Sequence, residues 1–179
     1  MKKRVFKFYS NYEKEEAWLN EMAASGWHCV DYLFGRYTFE KGEPGEYIYR
    51  IQLLEYYTNH AESVTYLGFL EDTGVEVIAS HIRWVYLRKK AIEGPFELFS
   101  DRESRIAHYR RIITMLLPLA IVNFLFGSGL LGNPKPVNLF NLGVALLLAV
   151  PIISYYKRVQ ARVFVEEDLK CHSVMALIV

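Results

Sequence analysis

Two runs of twenty residues without a charged side chain constrain the fold of this chain more than any other feature. They cover residues 112–131 and 137–156, and the segment Gly-Asn-Pro-Lys-Pro joins them. At ~1.5 Å per residue, a helix of that length is about 30 Å long, which matches the hydrocarbon core of a bilayer. The rest of a 179-residue chain is too small to bury two such helices in a soluble core. The pattern therefore predicts a transmembrane helical hairpin within residues 100–162.

Basic residues around the two runs predict the orientation of the hairpin. The loop between the runs has one basic residue, Lys135. Seven basic residues flank the outer ends of the runs: Arg102, Arg105, Arg110, Arg111, Lys157, Arg158 and Arg162. Because cytoplasmic flanks are enriched in Lys and Arg, we expect a multi-pass protein of the plasma membrane with both termini in the cytoplasm. The first residues lack the apolar core of a signal peptide, which agrees with this expectation. The tail, residues 163–179, is interpreted as an interfacial helix or an added strand.

Charge and cysteine content exclude several classes of protein. Residues 1–100 carry 12 Lys/Arg and 15 Asp/Glu, a net charge of −3, whereas residues 101–179 carry 9 and 5, a net charge of +4. An acidic N-terminal part argues against nucleic-acid binding. Two cysteines, Cys29 and Cys171, are too few for a disulfide-rich module and cannot by themselves supply a four-ligand zinc site. We find no spacing typical of metal ligands, phosphate loops or nucleophiles, so we predict no cofactor, no metal and no enzymatic activity.

Residues 1–99 contain an internal repeat with an offset of 48 residues. The offset places 18–41 on 66–89, and each copy (about 4–41 and 52–89) has the pattern of a strand, a helix and two further strands. Among the matched pairs are Trp18 and Tyr66, Leu19 and Leu67, Gly26 and Gly74, Val30 and Ile78, and, in the preceding strand, Val5 and Phe6 with Leu53 and Leu54. The repeat predicts an α+β cytosolic domain built from two βαββ units, of the ferredoxin-like kind or a duplicated relative of it.

Local signals place the first elements of this domain. The alternation in residues 4–8 predicts a strand, and Ser10-x-x-Glu13 is typical of a capping box that begins a helix at about Tyr12. The adjacent acids Glu15 and Glu16 are interpreted as part of a solvated helix face. At the other end of the domain, Ser100 or Asp101 is expected to cap a helix that continues into the membrane.

Aromatic residues are the only candidates for a ligand site. A seam between two repeats, lined by aromatic side chains and a few polar groups, is able to hold an apolar or cationic small molecule. Tyr47, Tyr49 and Trp84 are the candidate lining residues. Because strands favour aromatic residues in any case, packing in the core is the alternative interpretation, and the one that base frequencies favour.

Two sequence motifs carry a resemblance to a known family. EEAWLNEMAASGWHCVDY and GRYTFEKGEPGEYIYRI, followed by a paired hydrophobic segment, resemble a family of uncharacterised bacterial membrane proteins. That family is known only as a domain of unknown function, and its members are often encoded beside PadR-type transcriptional repressors. The resemblance covers residues 3–165 and departs from the family pattern at Val75, where a tryptophan often follows the glycine. It implies a regulatory or sensory role near the membrane and brings no catalytic residues with it.

The functional expectation combines the anchor with the domain. We expect a membrane-anchored cytosolic sensing or protein-interaction domain with a regulatory role and no catalysis. Its expected partners are the lipid bilayer, an unidentified protein and an apolar or cationic small molecule. The alternative is a binding module for amphipathic small molecules such as toxins or antibiotics.

Overall fold

A computed structural model describes residues 1–99, 101–130 and 136–176, without the side chains of residue 136 and of residues 164–176. The chain divides into two compact units, Met1–Leu98 and Phe99–Val179. The first unit is α+β and contains two three-stranded sheets, and the second contains two long apolar helices.

Each half of the first unit has a strand, a helix and two further strands, as the repeat predicts. The first half consists of β1 (Lys2–Phe6), α1 (Tyr12–Ala24), β2 (Trp27–Leu33) and β3 (Arg36–Lys41). The second half consists of β4 (Tyr47–Leu53), α2 (Ala61–Asp72), β5 (Val75–His81) and β6 (Trp84–Lys90). Both helices are followed by a glycine with positive φ, Gly26 (73°) and Gly74 (83°), because the chain leaves each helix through a left-handed turn.

The start of the domain differs from the sequence prediction in two details. β1 begins and ends two residues earlier than the predicted strand, at Lys2 and Phe6. The prediction of Ser10 as the cap of α1 is wrong: Asn11 has extended backbone angles, and its Oδ1 accepts a 2.9 Å hydrogen bond from the Glu13 N–H. Asparagine is among the strongest N-cap residues, so it takes this position in preference to its neighbour.

The six strands form two separate antiparallel sheets with the orders β1-β3-β2 and β4-β6-β5. The edge strands β2 and β5 lie next to each other. A ferredoxin-like arrangement is not confirmed, because that arrangement places its strands in one continuous sheet whereas here they form two.

The second and third strands of the two halves match in register. Cys29 pairs with Phe39, and Val77, 48 positions after Cys29, pairs with Leu87. Each hairpin also has a register shift at the same point, between Cys29 and Asp31 and between Val77 and Ala79. The first strands match with an offset of 47 instead: Phe6 pairs with Arg36, and Leu53 pairs with Trp84, the residue 48 positions after Arg36. The alignment of Phe6 with Leu54 is therefore wrong by one residue.

Each sheet packs its own apolar side chains. The first core includes Leu19 and Ala23 of α1 with Cys29, Tyr37 and Phe39, all at most 1% exposed. The second core is formed by Leu54, Leu70, Val75, Val85, Leu87 and Phe96. Full burial of one such side chain stabilises the fold by roughly 1.5–3 kcal/mol relative to its exposure, so these two groups carry much of the stability of the domain.

Helix α1 also occupies the outer edge of β4, the first strand of the second half. Asn20 Oδ1 accepts from the Tyr49 N–H at 2.8 Å, and Asn20 Nδ2 donates to the Tyr49 carbonyl at 3.1 Å. Glu16 Oε2 accepts from the Ile51 N–H at 3.0 Å. An open strand edge exposes unpaired backbone groups, so these side chains act in place of a neighbouring strand.

The second unit contains the two candidate membrane helices. α3 (Arg102–Gly127) and α4 (Pro136–Ala176) pack against each other. Asp101 caps α3 by accepting from the Ser104 N–H at 2.7 Å, as predicted for one of the two candidate caps. A Cβ on Gly127 would lie 2.6 Å from the Leu142 backbone nitrogen, so glycine permits a close approach of the helices at this point.

By length and composition, Arg102–Gly127 and Val137–Val163 are able to cross a membrane. The first helix therefore begins earlier and ends earlier than the predicted span, 112–131. The linking residues 131–135 lie outside the described part of the chain. α4 continues as a helix into the tail, which favours the helical interpretation of residues 163–176 over an added strand.

Candidate functional site

The buried face of α1 carries an acidic side chain. Tyr12, Glu15, Leu19 and Ala23 follow one another at intervals of three and four residues, which places them on one side of a helix. All four are buried, and Glu15 is only 7% exposed. The interpretation of Glu15 and Glu16 as a solvated pair is therefore wrong: Glu15 points into the domain, and Glu16 is half-buried against β4.

One carboxylate oxygen of Glu15 connects the two halves of the domain. Glu15 Oε1 accepts a hydrogen bond from the Tyr37 hydroxyl at 2.5 Å and another from the Tyr86 hydroxyl at 2.7 Å. Tyr37 belongs to β3 in the first sheet, and Tyr86 belongs to β6 in the second. Because both hydroxyls donate to the same carboxyl oxygen, this one atom links the two sheets.

Aromatic rings surround this carboxylate. Tyr32 stacks on Tyr86 with ring centroids 4.2 Å apart, and its ring lies 4.8 Å from that of Tyr37. The half-exposed Trp18 packs edge-on against Tyr37 at 4.8 Å. We refer to Glu15, Tyr32, Tyr37 and Tyr86 as the tyrosine cluster.

Burial dominates the electrostatics of the tyrosine cluster. Removal from water raises the pKa of the Glu15 carboxyl, and the hydrogen bonds from Tyr37 and Tyr86 oppose that rise. Burial also raises the pKa of both phenols, and the nearby carboxylate adds to the effect, so they remain hydrogen-bond donors. Among the described residues, no salt bridge joins Glu15 to a lysine, arginine or histidine.

This arrangement brings together a buried acid and aromatic rings, and both kinds of group attract cations in proteins. The attraction between a carboxylate and an opposite charge is stronger away from water, because the surrounding dielectric constant is low. Faces of tyrosine and tryptophan rings attract cations as well, and quaternary ammonium groups are bound in such aromatic cages. In the described part of the chain, no group of three His, Cys, Asp or Glu side chains is arranged to hold a metal ion. The cluster therefore combines a buried acid with the faces of aromatic rings.

The structure does not bring the three predicted site residues together. Tyr47 pairs with Lys90 at one end of β4, whereas Trp84 pairs with Leu53 at the other end, about 20 Å away at ~3.3 Å per residue. Trp84 lies beside the tyrosine cluster, because it packs against Tyr12 at 6.0 Å and precedes Tyr86 by two positions on the same strand.

Tyr47 and Tyr49 belong to other contacts. The Tyr47 ring lies 4.2 Å from the Arg88 guanidinium carbon and 5.0 Å from the His28 ring. Tyr49 is fully buried, and its hydroxyl donates to the Cys29 carbonyl at 3.2 Å. The Cys29 thiol is also buried, and burial raises its pKa to about 12, so it remains a neutral thiol at physiological pH.

Sequence reasoning missed Glu15, the central group of the cluster, although a signal was present. Glu15 lies three residues after Tyr12 and four before Leu19, the spacing of a buried helix face. Neither the pairing with Tyr37 nor that with Tyr86 has such a signal, because the two contacts join residues 22 and 71 positions apart.

A family model described as "Protein of unknown function (DUF2812)" matches residues 11–121. The match extends from the N-cap of α1 to the middle of α3 and includes the whole tyrosine cluster. None of the curated proteins matches the chain. None of the solved structures matches it either.

Proposed function

The chain belongs to the DUF2812 family of proteins of unknown function, and we propose that it is a membrane-anchored, non-catalytic sensing domain that binds amphipathic organic cations at the tyrosine cluster. The observation that carries this proposal is the burial of the Glu15 carboxyl among aromatic rings, with Tyr37 and Tyr86 as its hydrogen-bond donors. The proposal combines the two functions expected from the sequence, a sensing domain and a module that binds amphipathic small molecules.

Binding at this site requires a change in the cluster. Glu15, Tyr37 and Tyr86 are buried, whereas the rings that lie between them and solvent, those of Trp18, Tyr32 and Trp84, are partly exposed. A cation would enter by displacing these outer rings and would take the place of one or both tyrosine hydroxyls at Oε1. The ligand therefore shifts the equilibrium of the domain from a closed to an open tyrosine cluster. The more stable the closed cluster is, the lower is the apparent affinity for the ligand.

The position of Glu15 gives binding a structural consequence. Its carboxylate joins α1 of the first half to β6 of the second, so a ligand that draws Oε1 away from Tyr86 weakens one link between the two sheets. A change in this link is the output that we propose for the sensor. We also propose that the domain arose by duplication of a βαββ unit, which the matched register shifts of the two hairpins support.

The remaining elements of the proposal concern its setting. Two helices long and apolar enough to cross a bilayer support a multi-pass anchor, and the seven flanking cations support cytoplasmic termini. A bacterial origin and a genetic neighbourhood with PadR-type repressors rest on the resemblance described above. In that setting, a domain that binds organic cations would provide the signal for regulation.

Tetraphenylphosphonium is a suitable probe for this site, because it is a delocalised cation with four apolar rings. We expect it to raise the melting temperature of the full-length protein in detergent, saturably and more at pH values above the raised Glu15 pKa. At about a hundred times its Kd, the stabilisation amounts to about 2.7 kcal/mol. Tetraphenylborate, which has the same shape and the opposite charge, is expected to leave the melting temperature unchanged.

Two glutamine variants on the same helix separate the site from non-specific effects. Glu15→Gln is expected to abolish the response to tetraphenylphosphonium, whereas Glu21→Gln, at an exposed position of α1, is expected to retain it. An equal response in both variants would show that the cation binds elsewhere, in the micelle or on another surface, and the proposal would be wrong.

A protein-interaction function is the second candidate, and the outer edge of β1 favours it. β1 pairs with β3 on one side, and within the described residues no strand pairs with its other side. Four of its five residues are exposed. Such an edge accepts an added strand from a partner. Purification of the full-length protein from crosslinked membranes tests this function: a stoichiometric partner that is lost on Arg4→Pro, which removes an outward-facing N–H from this edge, would support it.

A further inference from the structure

Two hairpin tips of the first unit present apolar side chains in an unfavourable backbone conformation. Phe34, at the tip between β2 and β3, has φ 46°, and Ile82, at the tip between β5 and β6, has φ 59°. Within the described residues these are the only residues other than glycine with positive φ. Bulky and β-branched residues rarely adopt this region, which glycine and asparagine occupy more readily.

The two tips lie side by side and face solvent. The Phe34 ring lies 4.1 Å from the ring of His81, and His81 is the residue before Ile82. Phe34 is 64% exposed and Ile82 is 56% exposed. More than half of each side chain therefore lies outside the packed core of the domain.

The end of β1 adds two phenylalanines to the same region. The Lys7 N–H donates to the Gly35 carbonyl at 2.9 Å, and the Phe8 ring occupies the space where a Cβ of Gly35 would lie. Phe6 is 71% exposed and Phe8 is 80% exposed. We refer to Phe6, Phe8, Phe34 and Ile82 as the tip surface.

The strand ends around the tip surface carry more cations than acids. Residues 4–8, 31–38, 53–57 and 80–84 form this end and contain four cations and two acids: Arg4, Lys7, Arg36 and Arg83, with Asp31 and Glu55. These four segments have a net charge of +2, whereas residues 1–100 as a whole have −3. Four basic residues therefore accompany the exposed apolar side chains, while Lys2, Lys41, Lys89 and Lys90 lie at the opposite end of the sheets.

We propose that the tip surface docks on the anionic face of a lipid bilayer. Apolar side chains that enter the boundary between headgroups and acyl chains, with cations beside them, are the combination that peripheral membrane segments use. The two candidate membrane helices of the same chain keep lipid within reach of the domain. A second copy of this chain is a poorer occupant, because its own cations would face these cations.

Hydrogen exchange of the full-length protein in nanodiscs tests this proposal. One set of nanodiscs contains phosphatidylcholine alone, and the other contains phosphatidylcholine with phosphatidylglycerol. We expect the amides of Phe34, Gly35, Ile82 and Arg83 to exchange about tenfold more slowly on the anionic discs, the order of magnitude expected when basic residues engage an anionic surface. The turn at the opposite end of the first sheet, residues 42–45, is expected to exchange equally on both.

A double variant separates lipid docking from a structural role. Phe34→Asn with Ile82→Asn replaces the apolar tips by a residue that tolerates positive φ, so the fold is expected to be retained while the protection on anionic discs disappears. Val64→Asn, which changes an equally exposed apolar residue on α2, is expected to retain the protection.

Two results would overturn the proposal. One is equal exchange of the tip amides on anionic and neutral discs. The other is protection that follows protein concentration and not lipid charge, which would identify a contact between copies of the chain.

Discussion

The side-chain amide of Asn20 satisfies both backbone hydrogen-bonding groups of Tyr49, at 2.8 Å and 3.1 Å. A residue of the first helix thereby acts as the neighbour of the first strand of the second half. The equivalent position in the second helix, 48 residues later, is Gly68, which has no side chain to make such a contact. The two halves are alike in topology, yet only α1 carries the polar residues that this contact with a strand edge requires.

Asn20→Leu is expected to destabilise the domain by about 2 kcal/mol, because it leaves the Tyr49 N–H without its partner under a helix and the Tyr49 carbonyl with the Arg50 guanidinium as its remaining donor. The measurement is thermal unfolding of the full-length protein, followed by near-ultraviolet circular dichroism of its aromatic residues. Asn59→Leu changes an exposed asparagine and is the control, expected to remain within about 0.5 kcal/mol of the wild type. Equal melting temperatures for the two variants would contradict the prediction.

Glu15 is expected to make the stability of the domain depend on pH in an unusual direction. Burial raises its pKa in the folded protein, so between the ordinary value and the raised value the folded chain binds more protons than the unfolded chain. Stability contributed by Glu15 is therefore fully present below its unfolded pKa and is lost as the pH rises through the folded pKa. Most carboxylates act in the opposite direction, because folding lowers their pKa.

The comparison of the wild type with Glu15→Gln isolates this effect, since the glutamine does not titrate. We expect the melting temperature of the wild type, relative to that of the variant, to fall as the pH rises from mildly acidic to alkaline values. A difference that remains constant across this pH range would mean that the Glu15 carboxyl keeps its ordinary pKa.

Ile82→Asn is expected to stabilise the domain by about 1 kcal/mol. A β-branched residue at φ 59° carries roughly 1–2 kcal/mol of left-handed strain that asparagine relieves. Because the Ile82 side chain is 56% exposed, little burial is lost in exchange. Chemical denaturation of the two proteins measures the difference, and a loss of stability on substitution would show that Ile82 packs against the domain.

Alanine substitution at two glycines with the same φ is expected to reduce the stability of the domain by different amounts. Gly26 and Gly45 both have φ 73°, but an added Cβ at Gly26 would lie 2.8 Å from the Gly42 carbonyl oxygen, whereas none of the described atoms lies within 4 Å of one at Gly45. Gly45→Ala is expected to cost about 1 kcal/mol through backbone strain alone. Gly26→Ala adds a clash with backbone and is expected to cost about twice as much. Thermal unfolding of both variants tests the order, and equal melting temperatures would contradict it.

Local patterns predicted most elements of the domain, whereas the contacts between its halves had no local signal. Strand alternation, the glycines after each helix and the 48-residue offset are properties of neighbouring residues, so the hairpins and helices could be placed from them. The division of the strands into two sheets depends instead on the edges of β2 and β5, which a repeat does not specify.

The candidate site shows the same limit. Of the three predicted residues, Trp84 lies beside the tyrosine cluster, and Tyr47 and Tyr49 belong to other contacts. An aromatic residue on a strand is predictable from its type, but the direction of its hydroxyl depends on packing across the two sheets. Glu15 was misassigned because an acid next to another acid is usually solvated, and only its tertiary partners make its burial tolerable.

During synthesis of the chain, α1 is translated before the strands of the second half that it contacts. Asn20 leaves the ribosome 29 residues before Tyr49, and Glu15 leaves it 71 residues before Tyr86. The nascent first half therefore carries a helix whose contacts with β4 and β6 stay incomplete until those strands have been translated. A stable half-domain is not expected on the ribosome, and the two halves should acquire their structure together, once β6 has emerged.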